Sequence, residues 1–138
     1  MTFEIKSQVP APETYLQLRK DCGLGGYELK AAEHGLKNSL HAVMVFDGEK
    51  PIGMGRLVGD GGLFVQVTDI AVLPAYQGKG LGRMIMESLM VWAELELPDS
   101  TYMSLIADVP ANKLYEKFGF YETAPRSVGM ARRVGTYP

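Results

Sequence analysis

The chain has 138 residues, of which 46% are hydrophobic and 22% charged, a balance that predicts one globular domain over residues 1–138 and excludes a disordered chain. Fourteen Lys and Arg against 16 Asp and Glu give a net charge of −2, so no nucleic-acid partner is expected. The single cysteine, Cys22, excludes an intrachain disulfide. No apolar run reaches the ~18 residues of a membrane span, and residues 1–10 lack the pattern of a secretory signal. We therefore expect a cytoplasmic protein without a membrane partner.

The first part of the chain predicts a strand followed by two helices. Phe3–Gln8 alternates weakly and predicts a strand that ends before Pro10. Apolar residues recur at helical spacing in Ala11–Cys22 and again in Tyr27–Asn38. The glycine-rich residues 23–26 separate these two helices, because glycine interrupts helical structure.

The middle of the chain predicts three antiparallel strands in succession. His41–Asp47 and Pro51–Val58 are apolar runs joined by a turn that contains Asp-Gly, a strong hairpin signal. A second tight turn, Gly59–Gly62, leads into Leu63–Leu73, the most strand-like segment of the chain.

The later part of the chain predicts a long helix, a parallel strand and a short helix. The long helix runs from Gly78 through about Leu95 and has an apolar stripe made of Leu81, Ile85, Leu89 and Trp92. Tyr102–Ile106 follows as a strand parallel to Leu63–Leu73, and a short helix over Pro110–Phe118 ends at Gly119. Two weak terminal strands are predicted at Phe120–Thr123 and Val128–Arg132. The alternation of helices and strands indicates a mixed α/β domain.

The turn Gln77–Gly82 lies between the strongest strand and the longest helix. Its alternating glycines allow a tight turn and leave backbone N–H groups uncovered at the start of the helix. Such a turn favours phosphate or pyrophosphate, and Lys79 and Arg83 add positive charge. A P-loop does not fit, because Gly80 follows Lys79. A glycine-rich turn without a ligand is the alternative interpretation.

With its flanking segments, this turn resembles the GCN5-related N-acetyltransferase (GNAT) superfamily. The family signature Arg/Gln-x-x-Gly-x-Gly/Ala is matched by Gln77–Gly82. Residues 69–74 resemble the end of the family's fourth strand, and residues 114–120 resemble its late helix and strand. The resemblance covers most of the chain. It implies the α/β GNAT fold, a mixed and mostly antiparallel sheet flanked by helices, whose splayed fourth and fifth strands form the cofactor cleft.

The cofactor that the resemblance implies is acetyl-CoA. Its pyrophosphate would lie on the turn, whose cofactor-binding residues are Gln77, Gly78, Lys79, Gly80, Leu81, Gly82 and Arg83. The pantetheine arm would lie along the open strand edge at Ile70, Ala71 and Val72, as an added strand does. Asp108 stands where many relatives carry Asn, which leaves Asn112 as a weaker alternative contact.

The resemblance also assigns the acid, Tyr115, near the coenzyme A sulfur, where it would protonate the leaving thiolate. Asp69 interrupts an apolar strand and is the candidate base, acting through water. A salt bridge between Asp69 and Arg56, or a hydrogen bond to the backbone, is the alternative for this carboxylate. Period-two alternation predicts that Gln66 and Thr68 face the opposite side of the strand from Asp69.

An acceptor site is expected around the first two helices and their loop. Tyr27 offers an aromatic face, Arg56 could bind a carboxylate and Gln66 could make a polar contact. Glu28, Glu33 and Asp60 are further candidates for contact with an ammonium group. The two histidines, His34 and His41, have no other ligand at a suitable spacing, so no metal site is expected.

The predicted function is transfer of acetyl to a primary amine of a small molecule, by direct attack in a ternary complex. One alternative is a non-catalytic module that binds or senses acyl-CoA. The other is a protein or peptide N-acetyltransferase, which would need an open groove. Relatives are often dimers, so a homodimer is a possible assembly.

Overall fold

The computed structural model describes residues 2–136 and divides into two units, Met1–Leu105 and Ile106–Pro138. The strands of the first unit are β1 (Glu4–Ser7), β2 (His41–Asp47), β3 (Lys50–Gly59), β4 (Phe64–Val72) and β5 (Tyr102–Ser104). Its helices are α1 (Pro12–Asp21), α2 (Leu29–Leu36) and α3 (Leu81–Glu96), with a 3-10 turn at Pro74–Tyr76. Helix α4 (Asn112–Glu116) belongs to the second unit. Within residues 2–136, none of the helices combines the length and the apolar character of a membrane span.

The five strands form one sheet in the order β1-β2-β3-β4-β5. Strands β1 to β4 pair antiparallel. Short turns join β2 to β3 and β3 to β4, whereas α1 and α2 lie between β1 and β2. Strand β5 returns after the α3 crossover and pairs parallel to β4. The mixed, mostly antiparallel sheet expected from the sequence is therefore confirmed.

The pairing between β4 and β5 is short, and this opens one edge of β4. The ladder joins Phe64–Gln66 to Tyr102–Ser104 and ends there. Strand β4 continues to Val72, while β5 stops at Ser104. The two strands therefore share only their first residues, as the splayed fourth and fifth strands of the expected fold require.

Helices cover both faces of the sheet. On one face, α1 and α2 pack through Tyr15, Leu18, Ala32 and Leu36 against Met44, Met54 and Ala71 of the sheet. On the other face lies α3, whose buried residues are Leu81, Ile85, Met86, Leu89 and Ala93. Trp92, predicted to belong to the buried stripe, is half-buried and stacks on the His41 ring at 4.9 Å.

A β-bulge interrupts β4 in the middle of the sheet. Met54 pairs with Ala71 and Arg56 pairs with Thr68, so Asp69 and Ile70 together lie opposite Gly55. Asp69 has a φ of 59°, which is uncommon for a residue other than glycine. Because the bulge shifts the alternation, Thr68 and Asp69 line the same cavity. The prediction that Thr68 faces away from Asp69 is therefore wrong, since it assumed an unbroken strand. Gln66, which was predicted to share the face of Thr68, is exposed and does not line this cavity.

Two predicted terminal strands are absent from the described part of the second unit. Residues 120–123 and 128–132 form no ladder. Instead the chain turns back, with the Ser127 N–H donating to the Thr123 carbonyl at 3.1 Å. Pro125 lies inside this turn and has no N–H to donate to a sheet. The glycine at the end of α4 was predicted correctly, since Gly119 has a φ of 87°.

Gly55 is required because three side chains close over it. A Cβ at this position would lie 2.6 Å from Ile85 Cγ2 and 2.8 Å from Ile70 Cδ1. We expect Gly55→Ala to lower the free energy of unfolding by about 1–3 kcal/mol through overpacking. Urea denaturation measures this change.

Gly35→Ala is the matched control. Gly35 lies in α2, and a Cβ there would meet no atom within 4 Å. Alanine should therefore raise the free energy of unfolding by about 0.5–1 kcal/mol. Equal effects of the two substitutions would contradict the packing account of Gly55.

Candidate functional site

The glycine turn after β4 joins the end of that strand to the start of α3 through a left-handed backbone. The 3-10 turn Pro74–Tyr76 leaves the strand, and α3 begins at Leu81 with Gly80 as its N-cap. Gly78 and Gly80 have φ values of 78° and 80°, a region that side chains with a Cβ rarely adopt. A Cβ at either position would touch nothing within 4 Å. Glycine is therefore favoured here by the backbone conformation and not by a lack of space.

The start of α3 is favourable to negative charge. The first N–H groups of a helix have no partner within the helix and carry the positive end of its dipole. The helix has 16 residues and no acidic residue in its first turn. Lys79 is exposed beside it. One donor of the Arg83 guanidinium is already used, since its Nε donates to Glu87 Oε1 at 3.0 Å.

Side chains hold this turn against the sheet. The Tyr76 hydroxyl donates to Asp47 Oδ2 at 2.6 Å, and Lys50 lies over the Tyr76 ring. Gln77 Nε2 donates to the Val72 carbonyl oxygen at 3.0 Å. Gln77, predicted as a cofactor contact, thus also connects the turn to the end of β4.

The bulge carries Asp69 into a buried charge cluster. Arg19 Nη1 donates to Asp69 Oδ1 at 2.5 Å, and Arg56 Nε donates to Asp69 Oδ2 at 2.8 Å. The Tyr15 hydroxyl lies 3.0 Å from both carboxylate oxygens. The Asp69 side chain is 3% exposed and each arginine 12%. The salt bridge to Arg56, named from sequence as the alternative to a base, is present.

Tyr15 serves this cluster as a hydrogen-bond donor. Burial, followed by the Asp69 carboxylate, raises the pKa of Tyr15 to about 12. The hydroxyl therefore keeps its proton at neutral pH. Both Asp69 oxygens also accept hydrogen bonds from positively charged donors, Arg19 and Arg56.

Sequence reasoning missed Arg19 and Tyr15. They are four residues apart, so they lie on the same face of α1. Arg19 also donates from Nε to the Gly25 carbonyl at 2.7 Å and lies 4.9 Å from the Tyr27 ring centre. A buried carboxylate requires cationic partners. Arg19, a basic residue on the half-buried face of α1, was the signal in the sequence that could have identified the second cationic partner of Asp69.

The cluster borders a cavity of about 210 Å³ between α2 and strands β3 and β4. Two predicted acceptor contacts, Tyr27 and Arg56, line it together with Asp69. Gln66 is exposed on β4 and is not part of this lining. Asp60, a further ammonium candidate, instead accepts from the Gly62 and Leu63 N–H groups, and such backbone bonds lower its pKa.

The other cofactor and acid candidates lie in the second unit. Tyr115 is half-buried in α4, and burial together with the Asp108 carboxylate raises its pKa above the ordinary value. It therefore carries its proton at neutral pH. Asn112 Nδ2 donates to Glu122 at 3.3 Å, while the buried Asn112 Oδ1 has no hydrogen-bond partner among residues 2–136.

Known proteins match this arrangement over most of the chain. The model of the acetyltransferase (GNAT) family matches residues 8–120. A crystal structure described as a probable acetyltransferase from Staphylococcus aureus is 45% identical, with a TM-score of 0.91 over 96% of this chain and 99% of that one.

Two plant proteins are similar over part of the chain. GCN5-related N-acetyltransferase 2 of Arabidopsis thaliana is 36% identical over 59% of this chain and 33% of its own length. Serotonin N-acetyltransferase 2 of Oryza sativa subsp. japonica is 34% identical over 59% of this chain and 40% of its own. The chain spans from 33% to 60% of the length of these and other similar curated relatives.

The Asp69 carboxylate should contribute strongly to the free energy of unfolding, because it holds the cluster together. Asp69→Asn keeps a side chain that tolerates the left-handed backbone but removes the charge between two buried arginines. We expect the free energy of unfolding to fall by about 3–5 kcal/mol, measured by urea denaturation.

Glu87→Gln is the control, because it breaks an exposed pair that has a similar distance, with Arg83 61% and Glu87 55% exposed. Its effect should stay below about 0.5 kcal/mol. A loss of less than about 1 kcal/mol in Asp69→Asn would contradict the structural role of the cluster.

Proposed function

Because the chain belongs to the acetyltransferase (GNAT) family, we propose that it transfers the acetyl group of acetyl-CoA to the primary amine of a small molecule. Members of the family are acyltransferases that use acetyl-CoA. The observation that carries the proposal is the glycine turn at the start of α3, which follows a strand with an open edge. The turn would receive a pyrophosphate, and the open strand edge would receive an extended arm of the cofactor.

The residues present fit acetyl-CoA, which supplies an activated thioester and a thiol leaving group. Backbone N–H groups from Gly78 to Gly82 would hold the pyrophosphate, with Lys79 and Arg83 adding charge. The β4 edge at Ile70–Val72 would pair with the amides of the pantetheine arm. The unpartnered Asn112 Oδ1 is an acceptor available to an N–H group.

Tyr115 is the proposed general acid. Its raised pKa keeps the hydroxyl protonated, so it can donate to a thiolate whose reference pKa is about 8.5. A backbone N–H on the open β4 edge would donate to the acetyl oxygen as negative charge develops.

For Asp69 we propose a positioning role in place of the predicted general base. Its oxygens are held by Arg19, Arg56 and Tyr15, so the amine proton would pass to water. A pH–rate profile that loses its acidic limb in Asp69→Asn would instead support Asp69 as the base.

A small acceptor is favoured over a peptide. The cavity beside Tyr27 and Arg56 has about 210 Å³, enough for a compact molecule. One relative is named for serotonin, a small primary amine. Gln66 lies outside this cavity and stays a predicted contact for the remainder of the acceptor.

Release of free thiol from acetyl-CoA in the presence of an amine tests the function. A panel of small amines, peptides with free N-termini and lysine peptides should show turnover with small amines first. Turnover with peptides alone would support the protein acetyltransferase. Acetyl-CoA binding without turnover on any amine would support a sensor.

Tyr115→Phe should lower kcat by about 10²-fold or more, because the leaving thiolate loses its proton donor. The KM for acetyl-CoA should change little, since the ring remains. Tyr121→Phe is the matched control: Tyr121 is 75% exposed in the same unit, so both parameters should stay near wild type. An unchanged kcat in Tyr115→Phe would remove this residue from the mechanism.

A further inference from the structure

The buried cluster contains more positive than negative charge. Arg19 and Arg56 share one carboxylate, Asp69, and neither forms another ion pair within residues 2–136. Each arginine side chain is only 12% exposed, so water screens the surplus charge poorly. Charged groups are rarely buried without a full set of partners. The cluster is therefore suited to accept one additional anion.

Arg56 is the arginine placed to receive that anion. A guanidinium has five N–H donors, and Arg56 uses one on Nε for Asp69 and one on Nη1 for Ser39 Oγ. Arg56 also lines the cavity. Arg19, by contrast, is engaged with the Gly25 carbonyl and lies against Tyr27. The remaining donors of Arg56 match the planar, two-oxygen geometry of a carboxylate.

The other walls of the cavity suit a small apolar group. Tyr15, Tyr27, Ala31 and Leu36 contribute aromatic and aliphatic surface. Asp69 faces the same space, but its charge is already compensated by two guanidinium groups. It therefore neither attracts an ammonium group strongly nor repels a carboxylate.

We propose that the acceptor carries a carboxylate in addition to its amine, as amino acids do, and that Arg56 binds this carboxylate. The inference rests on the proposed function, because it assigns the substrate class of the same site. The carboxylate would complete the hydrogen bonds of Arg56, while the side chain of the acceptor would contact Tyr27 and the apolar wall.

Binding of reaction products tests the inference without turnover. N-acetyl-alanine, N-acetyl-leucine and N-acetyl-phenylalanine are compared by calorimetry with N-acetylethylamine, N-acetylisopentylamine and N-acetylphenethylamine. The members of each pair differ only by the carboxylate, and neither has a titrating amine. We expect the best-fitting carboxylate to bind at least 10-fold more tightly than its partner. Equal affinities in all three pairs would overturn the inference.

Arg56→Met should abolish this preference, and Arg56→Lys should retain part of it, because lysine keeps the charge without the planar donors. Arg126→Met removes an exposed arginine and should leave the preference unchanged. If Arg56→Met fails to fold, the wild-type pairs and Arg56→Lys still decide the matter. A preference that survives in folded Arg56→Met would overturn the role of Arg56.

Thiol release with the matching free amines separates this inference from the proposed function. Acetylation of amines with no preference for carboxylates would overturn the inference and leave the function intact. The absence of both acetyl-CoA binding and turnover would count against the function itself, while the product pairs would still test the carboxylate site.

Discussion

The carboxylate of Asp69, buried between two guanidinium groups, is the interaction on which the rest of the site depends. It connects α1 to β3 and β4, and it requires the left-handed backbone that the bulge supplies. A buried charge is tolerated only with such partners, and removal of one partner is far more costly than the net contribution of the pair. The two arginines then extend the cluster outward, Arg19 to the loop at Gly25 and Arg56 to Ser39 before β2.

The bulge also directs the side chains of two consecutive residues of β4 to opposite faces of the sheet. Ile70 turns toward Ile85 and Leu89 of α3 over the small Gly55, while Asp69 turns toward α1. The edge beyond Gln66 is left without pairing from β5. A regular strand would place neighbouring side chains on opposite faces. The extra residue is what brings Thr68 and Asp69 to one cavity beside an available backbone edge.

Local patterns predicted most of the first unit. The Asp-Gly turn, the apolar runs and the stripe on α3 each depend on neighbours in sequence, and β2, β3 and α3 appear near the expected positions. The two predicted terminal strands were wrong because a strand needs a partner, and residues 120–132 form no ladder and turn at 124–126 instead. The predicted face of Thr68 was wrong because a bulge depends on the register between two strands. The alternation of residues within one strand carries no information about that register.

The sequence by itself determined the family motif, the glycine turn and the order of elements, since these follow from local backbone preference and short-range spacing. It also raised Arg56 as a partner of Asp69. Only the tertiary structure decided that Arg19 and Tyr15 share the same carboxylate, because residues 50 and 54 positions apart in sequence meet through packing of α1 on the sheet. The charge surplus is likewise a tertiary property: a net charge of −2 over the chain says nothing of which charges are buried together.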